Sequence, residues 1–273
     1  NVYELTPLNF DKVVHKSNYT TVVEFYAPWC GYCQQLAPVY KKLGRLVHQD
    51  SKHAVHVAAV NCDKDSNKQL CSRHQVSGYP TIKVFRPQKF NYGSQGKIFN
   101  AASETYQGER LLKPMWRFLE SKIKNYVKKY PRLGEPLKEW LSEVTPNDPR
   151  RRALVVTKSR NLSPMLKLLA IDFLNSWRFA MASVDKNANS VDFEVEGYAI
   201  PFSEEDLFPI LLAWKPEGGW EKYPGKATDS VTISEWLIKD GGTLPSEGPL
   251  LKKEKKYYSK YRTGKASVKH AES

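Results

Sequence analysis

Hydrophobic and polar positions alternate between two periods along the first half of the chain, and the alternation predicts layered α/β structure. Thr20 to Tyr26 (TTVVEFY) is a β-branched and aromatic run, as expected of a strand covered on both faces. From Cys30 to Val47 the apolar residues Leu36, Val39, Tyr40, Leu43, Leu46 and Val47 keep a three-and-four spacing, which predicts an amphipathic helix interrupted by Pro38. Ala54 to Val60 predicts a second strand, Asp65 to Gln75 a short helix, Thr81 to Phe85 a third strand, and Glu109 to Tyr130 a long terminal helix. Arg86 to Ala102 carries Pro87, Gly93 and Gly96 without a period, and is read as an inserted loop.

Gly134-Glu135-Pro136 marks a boundary, after which the pattern repeats in the same order. Ala153 to Thr157 answers the strand at Thr21 to Phe25, and Ser163 to Trp177 the helix that follows it. Phe179 to Lys186 echoes Val57 to Lys64, and Phe208-Pro209 echoes Tyr79-Pro80. Tyr223-x-Gly225 echoes Tyr106-x-Gly108. An internal duplication accounts for the shared order. Val191 to Asp206 has no counterpart, and its Ser203-Glu204-Glu205 reads as a helix start. The expected division is 1–133, 134–245 and a basic tail over 246–273.

Composition narrows the class. At 273 residues with 41% hydrophobic positions the chain suits two domains with real cores, and no apolar run is long enough to span a bilayer. The net charge of +13 is concentrated in Lys122–Arg132 and Lys252–Lys269, read as a solvated face and a tail. No nucleic-acid motif accompanies it. The start at Asn1, without Met or leader, reads as a processed or trimmed product from which an address segment was removed, and Ala271-Glu272-Ser273 is no retention signal, though one could follow it. Asn18-Tyr19-Thr20 is a candidate glycosylation site, and Asn161-Leu162-Ser163, followed by Pro164, a poorer one.

All four cysteines lie in the first third of the chain, as Cys30/Cys33 and Cys62/Cys71. A C-x-x-C at a strand-to-helix turn places its first sulfur among the unpaired amides of a helix N-terminus. Cysteine pKa values in such settings fall to roughly 3.5–7.5, and only the thiolate attacks a disulfide. Cys30 is therefore the expected nucleophile and Cys33 the resolving thiol. A permanent disulfide or half a zinc site are the competing readings, but the Cys62/Cys71 spacing does not complete a zinc ribbon. Neither a cofactor nor a metal is called for, and His48, His53 and His56 read as surface residues.

Val23 to Cys33 (VEFYAPWCGYC), Gly78-Tyr79-Pro80-Thr81 and Tyr106-x-Gly108-x-Arg110 resemble the protein disulfide isomerase family over residues 2–128. With the Tyr126 to Tyr130 connector, the whole chain resembles small fungal members with one active site. The resemblance implies two thioredoxin-like domains in tandem, a mixed sheet flanked by helices in each, the second redox-inactive. It implies a disulfide isomerase of the endoplasmic reticulum lumen acting on folding or misoxidised secretory proteins. An escort that binds clients or a lectin chaperone is the alternative.

The resemblance also assigns roles. Glu24, inside an apolar strand, exchanges a proton with Cys33; a solvated strand end is the competing placement. Arg110 is a mobile arginine that approaches the resolving thiol, or a lone surface arginine. Pro80 is a cis-proline, or a trans turn proline, and with Trp29, Tyr32 and Tyr79 it contacts substrate. Cys62 and Cys71 pair in a structural disulfide, or stay as buried thiols. An endoplasmic reticulum oxidase and an acidic lectin chaperone are expected partners, the latter through Lys124, Lys128, Lys129 and Arg132. Most members carry His where this chain has Tyr32, and many Lys at Gln34. Losing both cations predicts a weaker oxidant.

Overall fold

A computed structural model of the chain describes residues 2–48, 53–93, 100–188, 190–215, 218–241 and 245. The tail expected over 246–273 lies outside the described residues, as do residues 94–99 of the inserted loop. Two compact units divide between Lys124 and Asn125.

The first unit is built on a five-stranded sheet in the order β1-β3-β2-β4-β5. Its strands are β1 (Tyr3–Leu5), β2 (Thr20–Tyr26), β3 (Val55–Asn61), β4 (Thr81–Arg86) and β5 (Ala102–Thr105), with helices α1 (Gly31–His48), α2 (Asp65–Arg73) and α3 (Leu112–Lys122). β1, β3 and β2 pair in parallel, and β4 pairs antiparallel with both β2 and β5. All seven residues of β2 are buried, because both faces of the sheet are covered. Val22 and Tyr26 pack with Leu36, Tyr40, Leu43 and Val47 of α1 and with Met115 and Leu119 of α3. Val23 and Phe25 enter the opposite core with Val13, Leu70 and Phe85. Each fully buried leucine or valine contributes about 1.5–3 kcal/mol relative to exposure. The alternation of a strand then puts Glu24 on the α1 side, with Val22 and Tyr26.

The second unit repeats this plan. Its sheet has the order β12-β11-β7-β8-β6, from β6 (Val127–Tyr130), β7 (Arg151–Thr157), β8 (Trp177–Ser183), β11 (Ile210–Lys215) and β12 (Gly219–Lys222). Again three strands pair in parallel, here β6, β8 and β7, and β11 pairs antiparallel with both β7 and β12. Helices α4 (Glu135–Ser142), α5 (Pro164–Asp172) and α6 (Ser230–Gly241) complete it, with a small hairpin of β9 (Glu194–Val195) and β10 (Tyr198–Ala199). The hairpin turns through Glu196 and Gly197, both at positive φ, as a two-residue turn of primed type requires. Tyr79-Pro80 and Phe208-Pro209, each at the entry to the fourth strand of its sheet, are both cis. The duplication read from ordered echoes is thus a duplication of strand order.

Three local expectations are corrected. The terminal helix stops at Lys122 and the chain continues as β6, since the Asn125 side chain bonds both the amide and the carbonyl of Val127 (2.9 and 3.2 Å) and competes with helical pairing. β6 pairs with β8, which places the division of the units ahead of the expected residue 133. Ser203 to Asp206 forms a turn, closed by the Ser203 amide on the Asp206 carboxylate (2.7 Å), and starts no helix.

His56, read as a surface residue, is buried in β3, where its Nδ1–H donates to the Val13 carbonyl (3.2 Å). Burial lowers its pKa to about 4, and burial with the nearby His15, Lys83 and Arg73 charges does the same for His74. Both rings are therefore neutral in the fold but protonate near 6.5 when unfolded. Their contribution is complete above pH 6.5 and is lost as the pH falls toward 4. At pH 5, His56 alone is expected to cost about 2 kcal/mol of stability. Urea midpoints at pH 7 and pH 5 check this: His56→Gln should flatten the pH dependence of the first unit, whatever it does to stability at pH 7.

Candidate active site

The site forms where β2 runs into α1. Ala27-Pro28-Trp29-Cys30 is a tight turn closed by the Cys30 amide on the Ala27 carbonyl (3.2 Å). The Gln34 side chain reaches back to the Pro28 carbonyl (2.9 Å), tying the turn to the helix it precedes. Cys30 thus stands immediately before α1, and the Cys33 amide donates to its sulfur (3.3 Å). That amide belongs to the first helical turn, where backbone donors lack intrahelical partners. The Cys30 thiol in turn faces the Tyr79 carbonyl at 3.5 Å. Both cysteines are free thiols.

Their environments differ. Cys30 retains 8% exposure while Cys33 has none. Burial is the main reason that the Cys33 thiol is pushed up to about 12; its hydrogen bond to Cys30 and the charges of Cys30 and Glu24 act in the same direction. Glu24, also without exposure, lies in the row Glu24–Ile82 of the sheet and couples electrostatically to both Cys33 and Tyr40. The Tyr40 hydroxyl is itself buried and directed at the Ala58 and Val22 carbonyls (2.8 and 3.2 Å). Two thiols, one carboxyl and one phenol are therefore buried together beneath the helix.

Around the reachable sulfur the surface is aromatic. Trp29 and Tyr32 are 60% and 68% exposed, with Trp29 edge-on to Tyr79 (5.9 Å). The Trp29 indole N–H donates to the Asp63 carboxylate (2.9 Å). Asp63 and Tyr40 are the residues that the motifs did not single out. The helical spacing put Tyr40 in the core, but its hydroxyl carried no further signal. Asp63 lies 34 residues from its partner, and local pattern does not reveal such a pairing.

The other expected residues fall as follows. Pro80 is buried in the cis loop after Tyr79. Arg110 is exposed in the segment leading into α3, with no ion pair among the described residues. Cys62 and Cys71 are joined by a disulfide across the start of α2, in the core opposite the active cysteines. Asn18 is partly exposed at the bend before β2, where the Thr20 hydroxyl donates to the Lys122 carbonyl (3.0 Å). Lys128, Lys129 and Arg132 are exposed and Lys124 partly so. Among the described residues no cluster of three or more His, Cys, Asp or Glu side chains could hold a metal, and no helix is long and apolar enough to cross a membrane.

Comparison with known proteins accords with this geometry. The Thioredoxin family model matches residues 1–106. Protein disulfide-isomerase MPD1 of Saccharomyces cerevisiae is 33% identical over 98% of this chain and 87% of its own length. Protein disulfide-isomerase 1 of Dictyostelium discoideum is 35% identical over 91% of this chain and 65% of its own. A Schizosaccharomyces pombe thioredoxin domain-containing protein named as mitochondrial is 34% identical over 88% and 61%. A match that spans both units, together with a C-x-x-C at the mouth of a thioredoxin-fold helix, establishes the lineage: the chain belongs to the protein disulfide isomerase family, and its activity is thiol–disulfide exchange and isomerisation.

Proposed function

We propose that Cys30 and Cys33 carry that exchange, with Glu24 as proton relay and Arg110 as a movable cation. The observation that carries the reading is the pairing of a reachable sulfur with a wholly buried one beside a buried carboxyl. In the reductive direction the Cys30 thiolate attacks one sulfur of a client disulfide. A Cys30–client bond forms and the other client sulfur leaves as a thiolate. Cys33 gives its proton to Glu24 and attacks the Cys30 sulfur. The Cys30–Cys33 disulfide closes, the second client sulfur leaves, and two electrons have passed to the client. Reversal oxidises a client dithiol; in isomerisation a client thiol resolves the intermediate.

Glu24 is needed because Cys33 holds its proton at neutral pH, and a buried carboxyl coupled to that thiol offers a site to receive it. Trp29, Tyr32, Tyr79 and Pro80 provide the client-facing rim. Tyr32 brings no charge to the cysteine pair. Tyr32→His is expected to raise the reduction potential by about 30 mV, a tenfold change in the exchange equilibrium. Titration against glutathione checks it, and an unchanged potential refutes the role given to residue 32.

Membership of the disulfide isomerase family favours the endoplasmic reticulum lumen and secretory clients, although one relative is named as mitochondrial. An oxidase of that compartment would return the pair to the disulfide. The exposed Lys128, Lys129 and Arg132 suit an acidic chaperone arm. The trapping experiment tests the core of this reading. Cys33→Ser should accumulate client mixed disulfides on Cys30, and recovery of none from oxidised, unfolded clients defeats it.

A further inference from the structure

The segment between β5 and α3 is closed by a contact that the exchange steps leave unused. The Tyr106 amide donates to the Ile82 carbonyl (2.8 Å), and Ile82 is the cross-strand neighbour of Glu24. Tyr106 therefore leaves the sheet level with the buried carboxyl, at the end of the sheet where β2 delivers Cys30. Its hydroxyl then turns back and donates to the Glu109 carbonyl (2.8 Å). The ring is held edge-on by Phe118 of α3 (5.1 Å) and lies so close over Gly108 that an added Cβ would meet Tyr106 Oη at 2.5 Å. Any side chain at 108 would force the ring to shift. Leu111 is extended and α3 starts at Leu112. Arg110 is left as a single residue between two fixed points, exposed and without an ion pair among the described residues.

From this geometry we infer that Tyr106 is a positioning residue, a latch whose hydroxyl and ring fix the backbone pivot from which Arg110 approaches the active-site cysteines. The Glu109 carbonyl belongs to the peptide plane that carries the Arg110 amide, so holding that oxygen sets the direction in which the arginine leaves the loop. A pinned backbone beneath an unpaired side chain is what a swinging cation needs. The inference rests on the reading of Arg110 as the cation that assists Cys33.

The test measures the rate at which Cys33 resolves a preformed mixed disulfide between Cys30 and a small peptide thiol, as a function of pH. Arg110→Ala should slow this step and move its pH profile upward. Tyr106→Phe, which keeps the ring, should slow it about two- to tenfold, the range for loss of one hydrogen bond. Gly108→Ala, which displaces the ring itself, should do at least as much. In the Arg110→Ala background Tyr106→Phe should have no further effect, since the latch acts through the arginine. Equal slowing in both backgrounds makes the latch merely structural and overturns the inference. So does a normal rate in Tyr106→Phe when Arg110→Ala is slow. An unchanged rate and pH profile in Arg110→Ala removes the arginine's role, and the latch with it.

Discussion

Cys30→Ala should lower insulin reduction by at least about a thousandfold, to the rate of the uncatalysed exchange with the assay's own thiol. The expectation follows from exposure. Cys33 is the remaining free thiol, and it combines zero solvent contact with a proton held up to about 12. Burial, the largest cause of that raised pKa, is kept in the variant, so Cys33 still holds its proton at pH 7, and exchange requires the thiolate. Cys62 and Cys71 are bonded to each other in the opposite core. Insulin turbidity with glutathione as reductant measures the loss. Retention of a tenth of the activity would mean that Cys33 is reached directly and that the two roles are wrongly assigned.

Glu24→Gln should leave the first attack by Cys30 nearly untouched and slow the second, by Cys33, by about a hundredfold at neutral pH, the lower end of what a positioned general base supplies. Glutamine preserves shape and hydrogen-bonding capacity while removing the site that accepts the proton. Its effect should shrink as the pH rises and hydroxide takes over the deprotonation. The folded state should be at least as stable as before, because the buried carboxyl beside Cys33 and Tyr40 is replaced by a neutral amide. Single-turnover kinetics resolve the two steps, and a thermal melt gives the stability. Equal slowing of both attacks would make Glu24 a structural residue.

Much of this site could be read from the residues. Glu24 stood out because it interrupts a run of apolar β-formers, and the C-x-x-C lies where strand periodicity gives way to helical periodicity. The second unit was legible through order, since five weak echoes in sequence constrain topology more than any one of them. What escaped notice depends on partners distant in the chain. The Lys-rich run after Lys122 contains good helix formers, yet Asn125 turns it outward and β8 recruits it as a strand. His56 looked exposed by residue type, whereas β3 is covered on both faces. Gln34 does more than replace a cation, since its amide braces the turn that carries Cys30.

The Tyr40 phenol gives that site its registration. Carbonyls in a ladder keep a second lone pair, and one hydroxyl from α1 reaches those of two adjacent strands. Cys33 and Tyr40 ride on the same helix, while Val22 lies two residues from Glu24. Sliding of α1 by a single residue would carry the hydroxyl about 1.5 Å off its acceptors and leave it buried without them. The acid and the deeper sulfur are thereby indexed to one another.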